Sequence, residues 1–186
     1  MSLILGILDS GGAAAATSSY ESIASVVTTA GQTSITFTSI PATYKSLQIR
    51  ILARRNDGTT GTDVQYMRIN SDSGSNYAFH RLFGDGATAS VSSSASTSLI
   101  ACYETGRNGT TANSFGVSII DIIDYASTTK NKTVRAFFGL DLNGSGSVQL
   151  GSGLWMNTNA ITDININAAA DPMAAGSTFA LYGIKG

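Results

Sequence analysis

Charge is scarce in this sequence of 186 residues: Asp, Glu, Lys and Arg make up 12% of it, about half the share in an average soluble protein. Eleven Lys and Arg stand against twelve Asp and Glu, for a formal net charge of −1, and no segment carries a run of one sign. A nucleic-acid binder needs a basic stripe or patch to neutralise phosphates, so that class is excluded. Cysteine and histidine occur once each, as Cys102 and His80. One cysteine cannot form an internal disulfide framework, and the two residues supply too few soft ligands for a zinc site. Long hydrophobic runs are missing as well: no stretch approaches the ~20 apolar residues of a membrane helix. The apolar start Leu3-Ile4-Leu5-Gly6-Ile7-Leu8, followed by Ala13 to Ala16, is short and has no Lys or Arg before it, which argues against a secretory signal.

Ser, Thr, Asn and Gly fill the place of the charges, beside a hydrophobic fraction of 42%. At this length that fraction supports one domain with a real core, needing neither disulfides nor metal. The surface is expected to be polar and nearly uncharged. Residues 3 to 8 are too few for a stable lone helix, and Asp9-Ser10-Gly11-Gly12 with the small residues up to Ser19 form a flexible joint. The expected organisation is an N-terminal anchoring arm and tether over 1–19, docked rather than frayed, and a body over 20–186.

Turn signals punctuate the body at Asp57-Gly58, Asp85-Gly86, Asn108-Gly109 and Asn143-Gly144. Such pairs accept the positive φ of tight hairpins. Between them the apolar residues alternate: Leu47, Ile49, Ile51 and Ala53 against Ser46, Gln48 and Arg50, with Leu52 the exception. Val134, Ala136, Phe138, Leu140 and Leu142 repeat the pattern, as do Ile164 and Ile166. Period-2 alternation puts one face in a core and the other toward solvent. The run from Phe115 to Ile123 is apolar on both phases around Ile119 and Ile120, which predicts a β-bulge or a central strand buried on both faces. Further strands are expected at 20–28, 33–38, 63–70, 77–83, 97–104, 148–155 and 177–184. The best helical window, Ala168 to Ala175, is short and contains Pro172. Ten or more strands without crossover helices imply an all-β fold, an antiparallel β-sandwich or jelly roll with an extended N-terminal arm. Its many sheet edges favour assembly as a homotrimer.

Catalytic chemistry has little to work with. His80 lies in Asn76-Tyr77-Ala78-Phe79-His80-Arg81, on the face of Ala78 and opposite Phe79 and Arg81, and suits a strand histidine better than a general base. No G-x-S-x-G elbow occurs. Cys102, within Leu99-Ile100-Ala101-Cys102-Tyr103, fits a buried inert thiol. Glu104, Asp121, Asp124 and Asp141 are carboxylates that spacing alone does not pair for glycoside hydrolysis. Asp141-Leu142-Asn143-Gly144-Ser145-Gly146 is like half a calcium loop but lacks the bidentate Glu, and a hairpin turn explains it. No catalytic residue, metal or cofactor is therefore assigned. Trp155 with Asn157 and Asn159, and Tyr77 as a second aromatic, make an alternative glycan platform, against the plainer reading of a strand-end Trp sealing the core.

Whole phrases resemble one family. MSLILGILDSGG, YESIASV, SIPATYKSLQIR, DSGSNYAFHRLFGDG, DIIDYASTTKNKTVR, SGLWMNTNAITDI and FALYGIKG, spread over nearly the entire chain, are similar to small virion proteins of tailed bacteriophages, notably phages of marine and freshwater bacteria. The resemblance implies a non-enzymatic virion structural protein, capsid-decorating or tail-fibre-like, assembled in the host cytoplasm; it carries no catalytic motif and no site residues. The expectation is a decoration or cement protein that binds the major capsid protein or other virion proteins, with no nucleic acid and no membrane. Residues Leu3, Ile4, Leu5, Ile7 and Leu8 would anchor it by adding a strand to a neighbour's sheet. The alternative is a tail-fibre or receptor-binding module that reads a host surface glycan through Tyr77, Trp155, Asn157 and Asn159.

Overall fold

The computed structural model describes residues 18–109, 111–167 and 172–186, apart from the side chains of Cys102 and Asn167. The expected arm, most of its tether, the Cys102 thiol and part of the Ala168 to Ala175 window lie outside that description. The chain is all-β, with twelve strands among the described residues: β1 Tyr20–Val27, β2 Ser34–Phe37, β3 Ser46–Arg55, β4 Thr62–Ile69, β5 Tyr77–Gly84, β6 Ala89–Thr97, β7 Ile100–Arg107, β8 Gly116–Ile123, β9 Lys132–Asp141, β10 Gly146–Trp155, β11 Ile164–Asn167 and β12 Thr178–Ile184.

Eight strands form a front layer in the order β1-β12-β3-β8-β9-β10-β5-β6, and four form a back layer, β2-β11-β4-β7. Pairing is antiparallel throughout except where the layers join: the end of β3 runs parallel to the end of β7, Arg54 beside Gly106 and Arg55 beside Arg107. From there β7 passes behind β8, β9, β10 and β5, which makes the two layers a sandwich.

The alternating residues explain the layers. Leu47, Ile49, Ile51 and Ala53 of β3, Val134, Ala136 and Phe138 of β9, and Phe179 and Leu181 of β12 point inward and are at most 2% exposed. All but Phe138 meet Ile35 and Phe37, Met67 and Ile69, and Ile164 and Ile166 of the back layer in one cluster, while Phe138 packs with Leu140 and Leu142 in a second. Each of the larger of these side chains, Val, Leu, Ile, Met or Phe, contributes about 1.5–3 kcal/mol by leaving water. The layers approach closely where side chains are missing: Gly153 of β10 lies against Ile100 of β7, and a Cβ at Gly106 of β7 would stand 2.8 Å from Leu140 of β9.

Several expectations need correction. Residues 97–104 do not form one strand: β6 ends at Thr97 and β7 starts at Ile100. β6 itself went unanticipated because Ala-Ser-Val-Ser-Ser-Ser-Ala-Ser-Thr offers Val91 alone as a large apolar residue. β8 does lie between β3 and β9, but it pairs with both without a bulge; the register shifts fall at Ser22/Ala24, Gln65/Tyr66 and Tyr77/Phe79. Nor is β8 buried on both faces, since Val117 and Ile119 are 50% and 38% exposed. Positive φ occurs at Gly58, Gly86, Asn143 and Gly144 as their turns require. Gly109 is needed for space instead, because a Cβ there would come within 2.5 Å of the Thr59 carbonyl oxygen.

Polar groups clamp the ends of the sandwich. At the β3–β7 junction the Arg107 guanidinium meets Asp57 at 2.5 Å and Asp63 at 3.2 Å, and Arg55 pairs with Asp63. Burial pushes the Asp57 carboxyl up, but hydrogen bonds from Thr59 and the nearby Arg107 and Arg55 outweigh it and hold the group below its ordinary value. At the opposite end Lys132 is fully buried, and its ammonium donates to the carbonyls of Ser127, Lys130 and Thr158 at 2.8, 2.7 and 3.0 Å. Burial lowers its pKa.

Candidate interaction surface

The front layer has an outer face as well as an inner one, and strand register arranges that face in rows. Opposite one another on successive strands stand Ile119 of β8, Phe137 of β9, Leu150 of β10, Leu82 of β5 and Val91 of β6. They are 38, 55, 51, 51 and 79% exposed. Two residues along each strand runs a second row: Leu52, Val117, Gly139, Val148, Gly84 and Ala89. Directly opposed apolar side chains touch across a sheet and form one continuous surface. The eight large side chains offer on the order of 700 Å² of apolar area, at or above the ~300–600 Å² of the largest patch on a typical monomer.

A polar row borders the patch. Gln48, Asp121, Arg135, Ser152, His80 and Ser93 are paired in that order across β3, β8, β9, β10, β5 and β6. Gln48 donates to Asp121 at 2.9 Å, and Arg135 donates to the other Asp121 oxygen at 2.7 Å. Arg50, which ends the first apolar row beside Ile119, lies between the rings of Tyr20 and Tyr182, 5.0 and 4.7 Å from their centroids. Where polar and apolar rows meet, a cleft of about 590 Å³ opens over β9, β10, β5 and β6, lined by His80, Leu82, Val91, Ser93, Arg135 and Leu150. His80 faces outward with Ala78, as the alternation implied.

The residues singled out from sequence fall elsewhere. Leu3, Ile4, Leu5, Ile7 and Leu8 lie outside the described residues. Tyr77 and Trp155 are core residues, 0% and 1% exposed, their rings stacked at 6.5 Å. The indole N–H donates to Asp72 at 2.7 Å, while the Tyr77 hydroxyl accepts from the Ile69 N–H and lies 3.0 Å from the Asp72 carbonyl. Neither ring presents a face to a sugar, so the aromatic half of the glycan platform is not built. Asn157 is half-buried and accepts the Asn159 N–H at 2.9 Å; Asn159 is exposed. Of the four carboxylates weighed for hydrolysis, Asp121 and Asp124 are engaged with Arg135 and Lys130, and Glu104 faces Arg81 at 3.6 Å between the layers. Among the described residues no three His, Cys, Asp or Glu gather as metal ligands.

Within any single strand the outer-face residues carry little signal, because the row they form exists only across strands. Their signal was an apolar residue on the wrong phase: Leu52, Ile119, Phe137, and Val148 with Leu150. Comparison of the chain with protein-family models, with curated proteins and with solved structures returns no match.

Proposed function

We propose that this protein is a structural component of a tailed-phage virion, a capsid decoration or cement protein that binds the major capsid protein and stabilises the head. The observation that carries the reading is the two-row apolar face: a compact sandwich with a sheet face of this size exposed among the described residues belongs in an assembly of protein subunits. The phrases spread along the chain that resemble small virion proteins supply the setting, and low charge suits close packing in a crowded lattice. Residues 3–8 then make the capsid contact by strand addition, with Leu3, Leu5 and Ile7, or Ile4 and Leu8, buried. No catalytic step is part of the role. The tail-fibre alternative has less to stand on, since Tyr77 and Trp155 are enclosed in the core.

Quantitative mass spectrometry of purified particles tests the assignment. A decoration protein is present in hundreds of copies per virion and is released from particles built with a chain lacking residues 1–12. A handful of copies, or undiminished retention of the truncated chain, contradicts it.

A further inference from the structure

We propose that the outer face of the eight-stranded layer is covered by a second copy of this chain. The inference extends the proposed virion role, on which it rests for its setting, by assigning the sheet face to self-association and leaving the arm for the capsid.

Area argues for a sheet-sized occupant. One copy offers on the order of 700 Å² of apolar surface here, and two faces brought together, with their polar borders, reach the ~1,200–2,000 Å² of a stable interface. The first row crosses five strands at ~4.8 Å spacing, roughly 20 Å. A six-residue arm, even fully extended, spans roughly 20 Å and is one strand wide. It would cover one row and leave the other wet. The flat layer of another copy covers both, in the aligned sheet-on-sheet manner of a sandwich.

Charge points the same way. The two rows contain no ionisable side chain between Arg50 at one end and Val91 or Ala89 at the other. Asp121, Arg135 and His80 stand along one border, and Asp141 continues the outward phase of β9 beyond Gly139 on the other. An apolar centre with a polar rim is the anatomy of a protein interface. The border carries both signs in an internal Arg135–Asp121 pair, and the whole chain has a formal net charge of −1, so identical copies do not repel. A face meeting its own kind is isologous and closes on itself.

Sedimentation velocity on the full chain tests this. At ~50 µM the wild type is expected at twice its 19.2 kDa mass. Phe137→Glu places a charge in the middle of the first row and raises the dissociation constant by about 100-fold or more, giving monomer. Ser34→Lys, at an exposed position on β2 of the back layer, leaves the mass unchanged. If Phe137→Glu alters the native circular dichroism, the milder pair Leu82→Thr and Val91→Thr reads the same contact. A wild type that stays monomeric, including one that captures major capsid protein through this face, overturns the proposal; so does an oligomer indifferent to these substitutions. Binding of the chain to particles bears on the virion role alone, so the two ideas fail separately.

Discussion

Asp72 controls the sole tryptophan. Its carboxylate accepts the Trp155 indole N–H at 2.7 Å, the Asn76 amide at 3.0 and 3.2 Å, and the Gly74 backbone N–H at 2.9 Å. In Asp72→Ala the Gly74 and Asn76 donors can turn to water, but the indole N–H, on a side chain 1% exposed, cannot. Losing a charge-assisted bond and stranding a buried donor together cost on the order of 3 kcal/mol. For a chain of this size that lowers Tm by roughly 6–12 °C. Asp72→Asn keeps an acceptor and is expected to lose about half as much. The pH dependence follows from the same contacts. Hydrogen bonds from Trp155, then Asn76, hold the Asp72 carboxyl below its ordinary value. Its stabilisation is therefore complete above the unfolded-state pKa, near pH 4, and is lost as pH falls through the lower folded pKa. Asp72→Asn removes that part of the acid sensitivity. Because the chain has one tryptophan, urea melts followed by fluorescence report this site directly. An Asp72→Ala variant within about 0.5 kcal/mol of wild type, with unshifted emission, would refute the reasoning.

Two further substitutions probe the frame that holds the outer face in place. Lys132→Met removes three hydrogen bonds from a fully buried ammonium and leaves the carbonyls of Ser127, Lys130 and Thr158 unmatched, so chemical denaturation is expected to show a loss of about 2–4 kcal/mol. Gly153→Val drives a branched side chain into Ile100 where the layers touch; a loss of about 1–3 kcal/mol in the same assay, or failure to fold, is expected, and a neutral result contradicts the close approach of the layers.

Much of the fold was legible because one face of each strand is committed to the core. Leu47, Ile49 and Ile51, or Val134, Ala136 and Phe138, cannot shift by one residue without turning their whole apolar set outward, so alternation located β3 and β9 well. β6 was illegible for the opposite reason: among the described residues it is an edge strand paired to β5 alone, it buries little and its Ser-rich sequence carries no period. The outer face failed differently. Ile119 beside Ile120 carries two meanings, a strand covered on both sides or a strand with an exposed apolar face, and one strand alone does not distinguish them. Only register across β8, β9, β10, β5 and β6 reveals that the surplus residues align. Trp155 shows the limit of composition: an aromatic beside Asn157 and Asn159 has the makings of a sugar platform, yet Asp72, 83 positions away in sequence, holds its N–H and keeps the ring in the core.

Hydroxyl-radical footprinting of the wild-type chain, compared at high and low protein concentration, tests most directly whether the outer face is the working surface. Phe137, Leu150 and Leu82 are expected to be labelled several-fold more slowly at high concentration, while Met156, 41% exposed beyond the end of β10, is labelled equally at both. Equal labelling of Phe137, Leu150 and Leu82 at both concentrations, in a sample whose mass shows it to be assembled, contradicts the account.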